Sequence, residues 1–237
     1  MWGSGALRPA QRRDLLSKSP NHDFQAALRL YSDEPFGTRL FVHLRRCLVP
    51  MQSIAEWIPS AGSILDIGCG HGLISLALAC AQAKRRILAI DPSSAKIEIA
   101  ARAGKTLPNV EFRRSLAEDI HNEKFDVILL IDVLYLLPYE QKLALLRKCR
   151  DLLASDGTLI IKSSDTHPAW KYAVTYVQEK FMTGAGLTLG HCGLHFLSCQ
   201  KKHALLNHAG FITDAHHLQH WTPYPHAFFV ARQRAEL

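Results

Sequence analysis

The sequence lacks the features of secreted and membrane-spanning proteins. Its six cysteines form no C-x-x-C pair and no regular spacing, which argues against a disulfide framework and favours a reducing compartment. No uninterrupted apolar run reaches the roughly 18 residues of a membrane span. The first residues contain no cleavable apolar segment, because Arg12 and Arg13 interrupt them. We therefore expect a cytoplasmic protein.

Acidic residues are fewer than basic ones, so the 237-residue chain has a formal net charge of +7. Residues 1–50 carry most of the excess. Such a region attracts nucleic acid, anionic lipid or an acidic substrate, or it is simply a solvated basic surface. The solvated surface is the simpler interpretation, and peripheral membrane contact through this basic region stays open. The length fits one α/β domain with elaborations.

Residues 63–79 form the stretch around which the chain is organised. Apolar residues before its glycines predict a short buried strand, and those after them predict a helix. Gly68, Gly70 and Gly72 leave the connecting loop without obstructing side chains, so backbone amides can approach a ligand closely. Strand, loop and helix together make the first half of a nucleotide-binding crevice.

The dinucleotide fingerprint G-x-G-x-x-G is missing, because Leu73 occupies the position of its third glycine. Asp66 precedes the glycines, and a carboxylate there repels the phosphates of a dinucleotide. The same charge attracts a ligand that carries an ammonium and a sulfonium, as S-adenosylmethionine does. An ordinary dehydrogenase is therefore disfavoured.

A second apolar strand, which ends at Asp91, supplies the other half of the crevice. An acid about 20 residues beyond the glycines can accept hydrogen bonds from both ribose hydroxyls. The two stretches together resemble the first and second motifs of the class I (Rossmann-like) S-adenosylmethionine-dependent methyltransferases. The resemblance is tight over residues 60–164 and returns more loosely at the C-terminus. It implies an enzyme with S-adenosylmethionine as the methyl donor.

The same resemblance implies the α/β fold of that family. This fold has a seven-stranded, mostly parallel sheet with helices on both faces, here with an N-terminal helical extension and an insert after the fifth strand. The apolar patterns predict further strands at 110–114, 125–132 and 158–162, and a terminal hairpin at 211–217 and 227–232. A turn is expected at 155–157, after a helix at 141–153.

The resemblance also implies a set of cofactor contacts at the carboxyl ends of the strands. We predict contacts from Asp66, Gly68, Cys69, Gly70, Gly72, Asp91, Pro92, Leu116, Ala117, Ile131 and Asp132. Many relatives carry an acid for the adenine amino group where this chain has Leu116. Adenine would then stack on Leu116 and bond to the backbone at Ala117, or Glu118 would replace the missing acid.

The sequence contains fewer signals for the acceptor-binding site than for the cofactor site. His167 lies just past the fifth predicted strand and could deprotonate an acceptor hydroxyl near neutral pH, although beside Pro168 it could equally be a turn residue. Tyr135 is the candidate for positioning the acceptor. Residues 165–197 are longer than a plain connection needs and rich in aromatic residues, so we predict an acceptor lid, with a structural insert as the alternative.

Two regions are expected from the chain as a whole. Residues 1–59 form a leader and covering helices, and residues 60–237 form the methyltransferase domain. Helical periodicity between His22 and Leu48 is broken near Pro35, which predicts two helices. These helices cover the cofactor or pad the sheet, and Tyr31 and Phe36 are their most informative residues.

We predict no metal site. The zinc-type residues lack the paired spacing of structural zinc sites: Cys192, His195, Cys199 and His203. A magnesium-dependent catechol-type enzyme would use acids after the fourth and fifth strands, where Asp132 and Asp165 lie. Its Asp-Asn pair is missing, and two acids fall short of a divalent oxygen cage.

The expected reaction is methyl transfer to a small-molecule or lipid-like acceptor, most simply at oxygen. Residues 133–137 are apolar and lack the Pro-Pro-aromatic signature of enzymes that methylate exocyclic amines of nucleic-acid bases. This stretch also has no cysteine to attack a pyrimidine ring. A nucleic-acid methyltransferase is thus the disfavoured alternative, and a non-catalytic S-adenosylmethionine-binding protein is the other. The sequence does not indicate an oligomeric state.

Overall fold

The computed structural model of the chain describes residues 20–184, 193–217 and 225–234. Residues 1–19 of the predicted leader lie outside these residues, as do Cys192 and the part of the predicted lid between residues 185 and 192. Within the described residues no helix is long and apolar enough to cross a membrane.

The described strands form one sheet. They are β1 (Gly62–Ile67), β2 (Arg85–Asp91), β3 (Val110–Arg114), β4 (Phe125–Ile131), β5 (Leu153–Ser164), β6 (Phe211–His217) and β7 (His226–Gln233). Their order is β3-β2-β1-β4-β5-β7-β6, and every pairing is parallel except those of β7 with β5 and β6. The predicted seven-stranded, mostly parallel sheet and its antiparallel terminal hairpin are confirmed.

The order in which the strands are added to the sheet changes direction between β1 and β4, although the two strands are parallel. β2 and β3 lie on one side of β1, and β4 and β5 lie on the other. In open α/β sheets, ligands bind outside the carboxyl ends of the strands at this switch point. The fold therefore places the glycine loop after β1 and the residues after β4 on opposite walls of one crevice.

Helices cover both faces of the sheet. They are α1 (Pro20–Arg29), α2 (Phe36–Leu48), α3 (Met51–Ala55), α4 (Leu73–Ala81), α5 (Ser94–Ala103), α6 (Tyr139–Leu152), α7 (Ala169–Gly184) and α8 (Cys199–His208). α6 and α8 contribute to the hydrophobic cluster on one face, and α1, α3 and α4 contribute to the cluster on the other. The two helices predicted between His22 and Leu48 are present, with their break in the predicted place.

The N-terminal helices belong to the same core as the sheet. Phe24, Ile54 and Ile58 are fully buried in one cluster with residues of β1 and β4. Tyr31 is buried as well, and its hydroxyl donates a hydrogen bond to the carbonyl of His71 in the glycine loop at 2.5 Å. Phe36, by contrast, is 75% exposed. α1, α3 and Tyr31 therefore pad the sheet and support the loop, and the division at residue 59 stays a prediction.

β5 is longer than its sequence pattern predicts. The structure extends it from the predicted 158–162 to Leu153–Ser164, and the predicted turn at 155–157 lies inside it. The register with β4 passes from Phe125 opposite Leu153 to Val127 opposite Thr158, so the extra residues form an irregularity in the strand. A Cβ on Gly157 would lie 2.9 Å from the carbonyl oxygen of Phe125. The turn signal therefore marks a bulge and a close backbone approach.

Candidate functional site

A cavity of about 940 Å³ runs along the carboxyl ends of the central strands. One half is bounded by the glycine loop, Asp91 and the residues after β3. The other half is bounded by α2, the residues after β4, the end of β5 and Thr175 of α7. The two halves are continuous. A cofactor and a second molecule can therefore meet in one continuous space.

Three glycines shape the loop, and they do so in different ways. Gly68, Gly70 and Gly72 have φ of 75°, 58° and 79°, in the left-handed region that favours glycine. Gly70 lines the cavity, and a Cβ added there would meet nothing within 4 Å. This is the open backbone approach expected for a bound ligand.

Gly72 has a different role from the one the sequence suggests. It does not line the cavity, and a Cβ there would lie 2.5 Å from the ring of Phe112 and 2.9 Å from the Cβ of Ala100. Gly72 therefore lets the loop pack against β3 and α5, which is tertiary packing that the G-x-G-x-G pattern alone does not reveal. Gly68 lines the cavity but also lies close to Val133, which follows β4.

Asp91 ties the second strand to the glycine loop. Its Oδ2 accepts a hydrogen bond from the amide of Gly70 at 3.0 Å, and its Oδ1 accepts one from the amide of Ser93 at 2.9 Å. The side chain is almost fully buried and lines the cavity. A carboxylate has about four lone-pair sites, so both oxygens can still accept ribose hydroxyls. The geometry fits the predicted contact.

Asp66 is buried at the end of β1 and lines the same half of the cavity. Burial raises its pKa to about 6, although a hydrogen bond from the hydroxyl of Ser75 at 2.5 Å and the charge of Arg45 act in the opposite direction. A cationic ligand group beside it would favour the charged carboxylate. The site therefore suits the ammonium group of the methionine part of S-adenosylmethionine.

The residues after β3 form an apolar wall where adenine would lie. Leu116 and Ala117 line the cavity, with Glu118 beside them. The carboxylate of Asp119 accepts a hydrogen bond from the amide of Leu116 at 2.9 Å, which fixes this wall. Leu116 remains 52% exposed and can offer its side chain to a flat ring. The adenine contact stays a prediction. Three further predicted residues line the cavity: Cys69, Pro92 and Ile131.

Tyr135 lies in the acceptor half, as predicted. It is buried, lines the cavity and stacks on Phe196, with ring centroids 4.8 Å apart. Tyr172 of α7 packs edge-on against Phe196 at 5.4 Å. The amide of His195 donates a hydrogen bond to the carbonyl of Tyr135 at 2.7 Å. Both described parts of the predicted lid are thus joined to the residues after β4.

His167 does not reach the site. It is exposed and absent from the cavity walls, and its Nδ1 lies 3.2 Å from the hydroxyl of Thr166. β5 is longer than predicted and continues to Ser164. Ser164, rather than His167, therefore lies on the cavity wall. The geometry gives the predicted role of His167 as a base no support.

A buried ion pair is the main feature that sequence reasoning missed. The ammonium of Lys162 lies 2.6 Å and 2.8 Å from the two carboxylate oxygens of Asp132, and both residues line the cavity. A lysine at the end of an otherwise apolar central strand was the signal that could have revealed it. Arg45 of α2 also lines the cavity and lies close enough to lower the pKa of Asp66 and of Asp132. No local sequence pattern marks Arg45.

The two acids considered for magnesium have other partners. Asp132 pairs with Lys162, and Oδ1 of Asp165 accepts hydrogen bonds from the amides of Thr166 at 2.7 Å and Cys199 at 2.9 Å. In the part of the chain that the structure describes, no group of three or more His, Cys, Asp or Glu side chains is placed to hold a metal ion. Of the zinc-type residues, His203 contacts the hydroxyl of Thr213.

Comparisons with known proteins agree with this geometry. A family model for the methyltransferase domain matches residues 64–157. The ubiquinone biosynthesis O-methyltransferase of Actinobacillus pleuropneumoniae serotype 5b (strain L20) is 30% identical over 160 residues, which are 58% of this chain and 66% of the relative. The enzyme of that name from Xanthomonas campestris pv. campestris (strain B100) is 32% identical over 123 residues, 50% of this chain and 49% of the relative. The chain thus spans about half to two thirds of these relatives.

Solved structures show the same fold. The pyocyanin biosynthetic protein PhzM matches with a TM-score of 0.67 and 20% identity, over 90% of this chain and 62% of that one. The O-methyltransferase NcsB1 from neocarzinostatin biosynthesis, in complex with S-adenosylmethionine and 2-hydroxy-5-methyl naphthoic acid, matches with a TM-score of 0.63 and 16% identity, over 91% of this chain and 67% of that one. Residues 64–157 therefore match a methyltransferase domain, and the described chain has the fold of the Rossmann-like methyltransferases.

Proposed function

We propose that the protein transfers the methyl group of S-adenosylmethionine to a hydroxyl oxygen of a small or lipid-like molecule. The observation that carries this proposal is the continuity of the cavity. Most of the predicted cofactor residues line the half beside the glycine loop, Ile131 and Asp132 line the other half, and that second half has mostly apolar walls with a few polar groups, as small-molecule sites do. The names of the relatives support transfer to oxygen, and so does the naphthoic acid bound to NcsB1.

The chain's own residues supply binding, orientation and exclusion of water. The sulfonium of the bound donor already provides an excellent leaving group, so the protein has little covalent chemistry to perform. Asp91, held by the amide of Gly70, would orient the nucleoside, and Asp66 would hold the ammonium. The apolar residues of α2 and those after β4 would exclude water from the reacting atoms.

The test measures binding and transfer separately. Calorimetric titration with S-adenosylmethionine and S-adenosylhomocysteine should show binding of both, and NAD should bind more weakly than either. Labelled S-adenosylmethionine should then transfer its label to members of a panel of hydroxylated aromatic and lipid acceptors. Label in purified RNA or DNA would contradict the proposed acceptor class. Cofactor binding without transfer to any fraction of a cell lysate would favour a non-catalytic binding protein.

We also propose that the protein binds peripherally to a membrane surface through α2. Phe36, Leu40 and Leu44 follow one another at helical spacing and are 75%, 46% and 51% exposed. Arg39 is exposed on the same helix. Leu40 and Leu44 also line the cavity, so a lipid-like acceptor would enter beside them. An apolar stripe next to basic residues suits an anionic interface.

Vesicle sedimentation tests this contact. The protein should sediment with vesicles of anionic phospholipid and less with zwitterionic ones, and replacing both Leu40 and Leu44 with Ser should weaken the association. The matched control is Ile212→Ser, because Ile212 is 56% exposed on β6. Equal sedimentation of all these proteins would count against membrane contact and would leave the methyl-transfer proposal standing.

A further inference from the structure

The acceptor half of the cavity contains an ion pair that stability alone does not explain. The side chains of Lys162 and Asp132 are 3% and 9% exposed, and their charged atoms are 2.6 Å apart. Burying two charges carries a desolvation cost, and replacing such a pair with apolar residues is often neutral or stabilising. Both residues nevertheless lie on the wall of the cavity rather than deep in the core.

The backbone also holds the two residues together. The amide of Asp132 donates a hydrogen bond to the carbonyl of Lys162 at 2.9 Å. Asp132 has φ of 60°, in the left-handed region that residues other than glycine seldom adopt. Such conformations persist where the surrounding structure enforces them, and they are concentrated at functional sites. The carboxylate is therefore positioned on the ammonium both by its own backbone and by the end of β5.

Lys162 has a donor left for a ligand. An ammonium has three N–H groups, and Asp132 supplies two acceptor oxygens. Among the described residues no other acceptor contacts the Lys162 ammonium. A buried donor needs an acceptor, because leaving it unpaired costs the full desolvation penalty. The cavity is the place from which a ligand oxygen can reach this donor.

The surroundings are electrostatically positive. Burial acts to raise the pKa of Asp132, yet Lys162, followed by Arg45 and His226, lowers it overall. Arg45, Ser164 and His226 all line the cavity with the pair. This end of the cavity therefore presents more positive than negative charge to whatever occupies it. An oxygen that carries negative charge suits such a wall, and a group that becomes cationic does not.

We propose that Lys162, positioned by Asp132, binds the reacting oxygen of the acceptor and stabilises it as an oxyanion, so that the site takes phenols and enols and rejects amines. This inference rests on the proposed methyl transfer and adds the catalytic group. The acceptor O–H ionises as the acceptor enters the cavity from solvent, and its proton passes to bulk water. The oxygen's electron pair then forms the bond to the methyl carbon while the carbon–sulfur bond breaks, and that bond's electron pair stays on sulfur. Methyl ether and S-adenosylhomocysteine result.

The preference for oxygen over nitrogen follows from charge. An attacking phenolate loses its negative charge, whereas an attacking amine gains positive charge beside the Lys162 ammonium. Like charges in a buried site repel strongly. A phenol and an aniline of the same shape should therefore differ greatly as ligands and as acceptors. Without the lysine, the difference should shrink.

A chromophoric probe tests the inference without requiring turnover. The protein is saturated with S-adenosylhomocysteine and titrated with 4-nitrophenol about one pH unit below the probe's own pKa. The wild-type protein should bind the probe as the coloured nitrophenolate. Lys162→Met should bind the nitrophenolate about tenfold or more weakly, as expected for a lost charged hydrogen bond. 4-Nitroaniline, the matched amine, should bind to the wild-type protein at least about tenfold more weakly than 4-nitrophenol.

Two further variants guard against a purely structural effect. Arg85 is the matched control, a buried cation that donates to the carbonyls of Ile58, Pro59 and Leu78 far from the cavity. Arg85→Met should leave the bound probe's spectrum unchanged, even if it lowers the melting temperature. If Lys162→Met does not fold, the double variant Lys162→Met/Asp132→Asn removes both charges and keeps a residue that tolerates the left-handed backbone at position 132. This variant should fold and should give the same loss.

The outcomes separate the two proposals. Binding of 4-nitrophenol as the neutral phenol by the wild-type protein, equal affinity of Lys162→Met for nitrophenolate, or equal affinity for 4-nitroaniline would overturn the oxyanion site. So would failure of the probe to bind while S-adenosylhomocysteine binds normally. Failure of S-adenosylhomocysteine itself to bind would instead contradict the proposed function.

Discussion

The two halves of the cavity are built in different ways. The cofactor half is made largely by backbone and by residues close in sequence, with the glycine loop after β1 and Asp91 at the end of β2. The acceptor half is made by side chains from α2, β4, β5, α7 and β7, which lie far apart in the chain. A short motif can therefore encode the first half, whereas only the assembled fold creates the second.

The difference also appears in the chemistry of the two walls. The cofactor half contains the carboxylates of Asp66 and Asp91, which suit a cationic ligand with hydroxyl groups. In the acceptor half Asp132 is already paired with Lys162, and Arg45 and His226 lie near it. Changes in the first half should therefore alter cofactor binding, and changes in the second should alter methyl transfer with little effect on cofactor binding. The following variants test that division.

The largest effect is expected for Gly70→Val. The valine side chain would fill the space that Gly70 leaves open and would sit at φ of 58°, which β-branched residues avoid. We expect the affinity for S-adenosylhomocysteine, measured by calorimetry, to fall by about a hundredfold or more, since steric block and backbone strain act together. Gly193→Val is the control, because Gly193 also has a positive φ and open space but lies outside the cavity walls. A folded Gly70→Val protein of normal affinity would refute the backbone approach.

Asp91→Ala should follow. The variant loses the acceptors for the ribose hydroxyls and the anchor of the Gly70 amide. Because charged hydrogen bonds contribute about 1.5–3 kcal/mol each, we expect at least about a tenfold loss of cofactor affinity in a folded protein. Asp126→Ala is the matched control, since its carboxylate accepts hydrogen bonds from Ser63 at the other end of β1. Equal losses in the two variants would point to a general structural effect.

Asp66 should make cofactor binding depend on pH. Its pKa is raised to about 6, so the carboxylate is charged at pH 7.5 and becomes protonated as the pH falls through 6. We expect the affinity for S-adenosylmethionine to decline below about pH 6, by at most about tenfold per unit. In Asp66→Asn this part of the decline should disappear, and the affinity should be low at pH 7.5 as well as at lower pH. An unchanged pH profile in Asp66→Asn would exclude the contact.

The same residue has a consequence for stability. A carboxyl whose pKa is higher in the folded protein than in the unfolded chain binds its proton more tightly when folded. Asp66 therefore leaves the free energy of unfolding unchanged below the pKa that its carboxyl has in the unfolded chain. As the pH rises from there toward 6, the residue increasingly destabilises the fold. Asp66→Asn should consequently unfold at an equal or higher temperature than the wild-type protein at pH 7. A clearly lower melting temperature would show that the charged carboxylate stabilises the fold.

The smallest effect is expected for Phe196→Ala, which tests the proposed lid. Phe196 stacks on Tyr135 and contacts Tyr172 of α7. An aromatic pair contributes about 0.5–1.5 kcal/mol beyond its buried area, so we expect a loss of about twofold to tenfold in kcat/KM for the acceptor. Cofactor affinity should not change. A loss of cofactor affinity instead would show that residues 165–197 serve the whole cavity as a structural insert.

Several predictions were possible because the physical signal was local. β3 has the bounds that its apolar pattern predicts, and Asp91 is the last residue of β2 as expected. Gly72 is the one loop glycine whose role was not predicted from the sequence. Its lack of a Cβ leaves room for the ring of Phe112 of β3. In the acceptor half, Tyr135 lines the cavity because it lies in the short segment after β4, and its role toward the acceptor stays a prediction. His167 lies outside the cavity walls because β5 extends to Ser164, and that extension depends on pairing with β7 rather than on any local pattern.

The sequence by itself determined the strand, glycine loop and acid that define a crevice for a cationic nucleoside, because backbone conformation and residue spacing are local properties. Only the tertiary structure decided what faces that crevice. Asp132 and Lys162 become partners because β4 and β5 are neighbours in the sheet, and Arg45 joins them because α2 packs over their carboxyl ends. Pairing of buried charges depends on distances across the fold, and no periodicity along the chain encodes those distances.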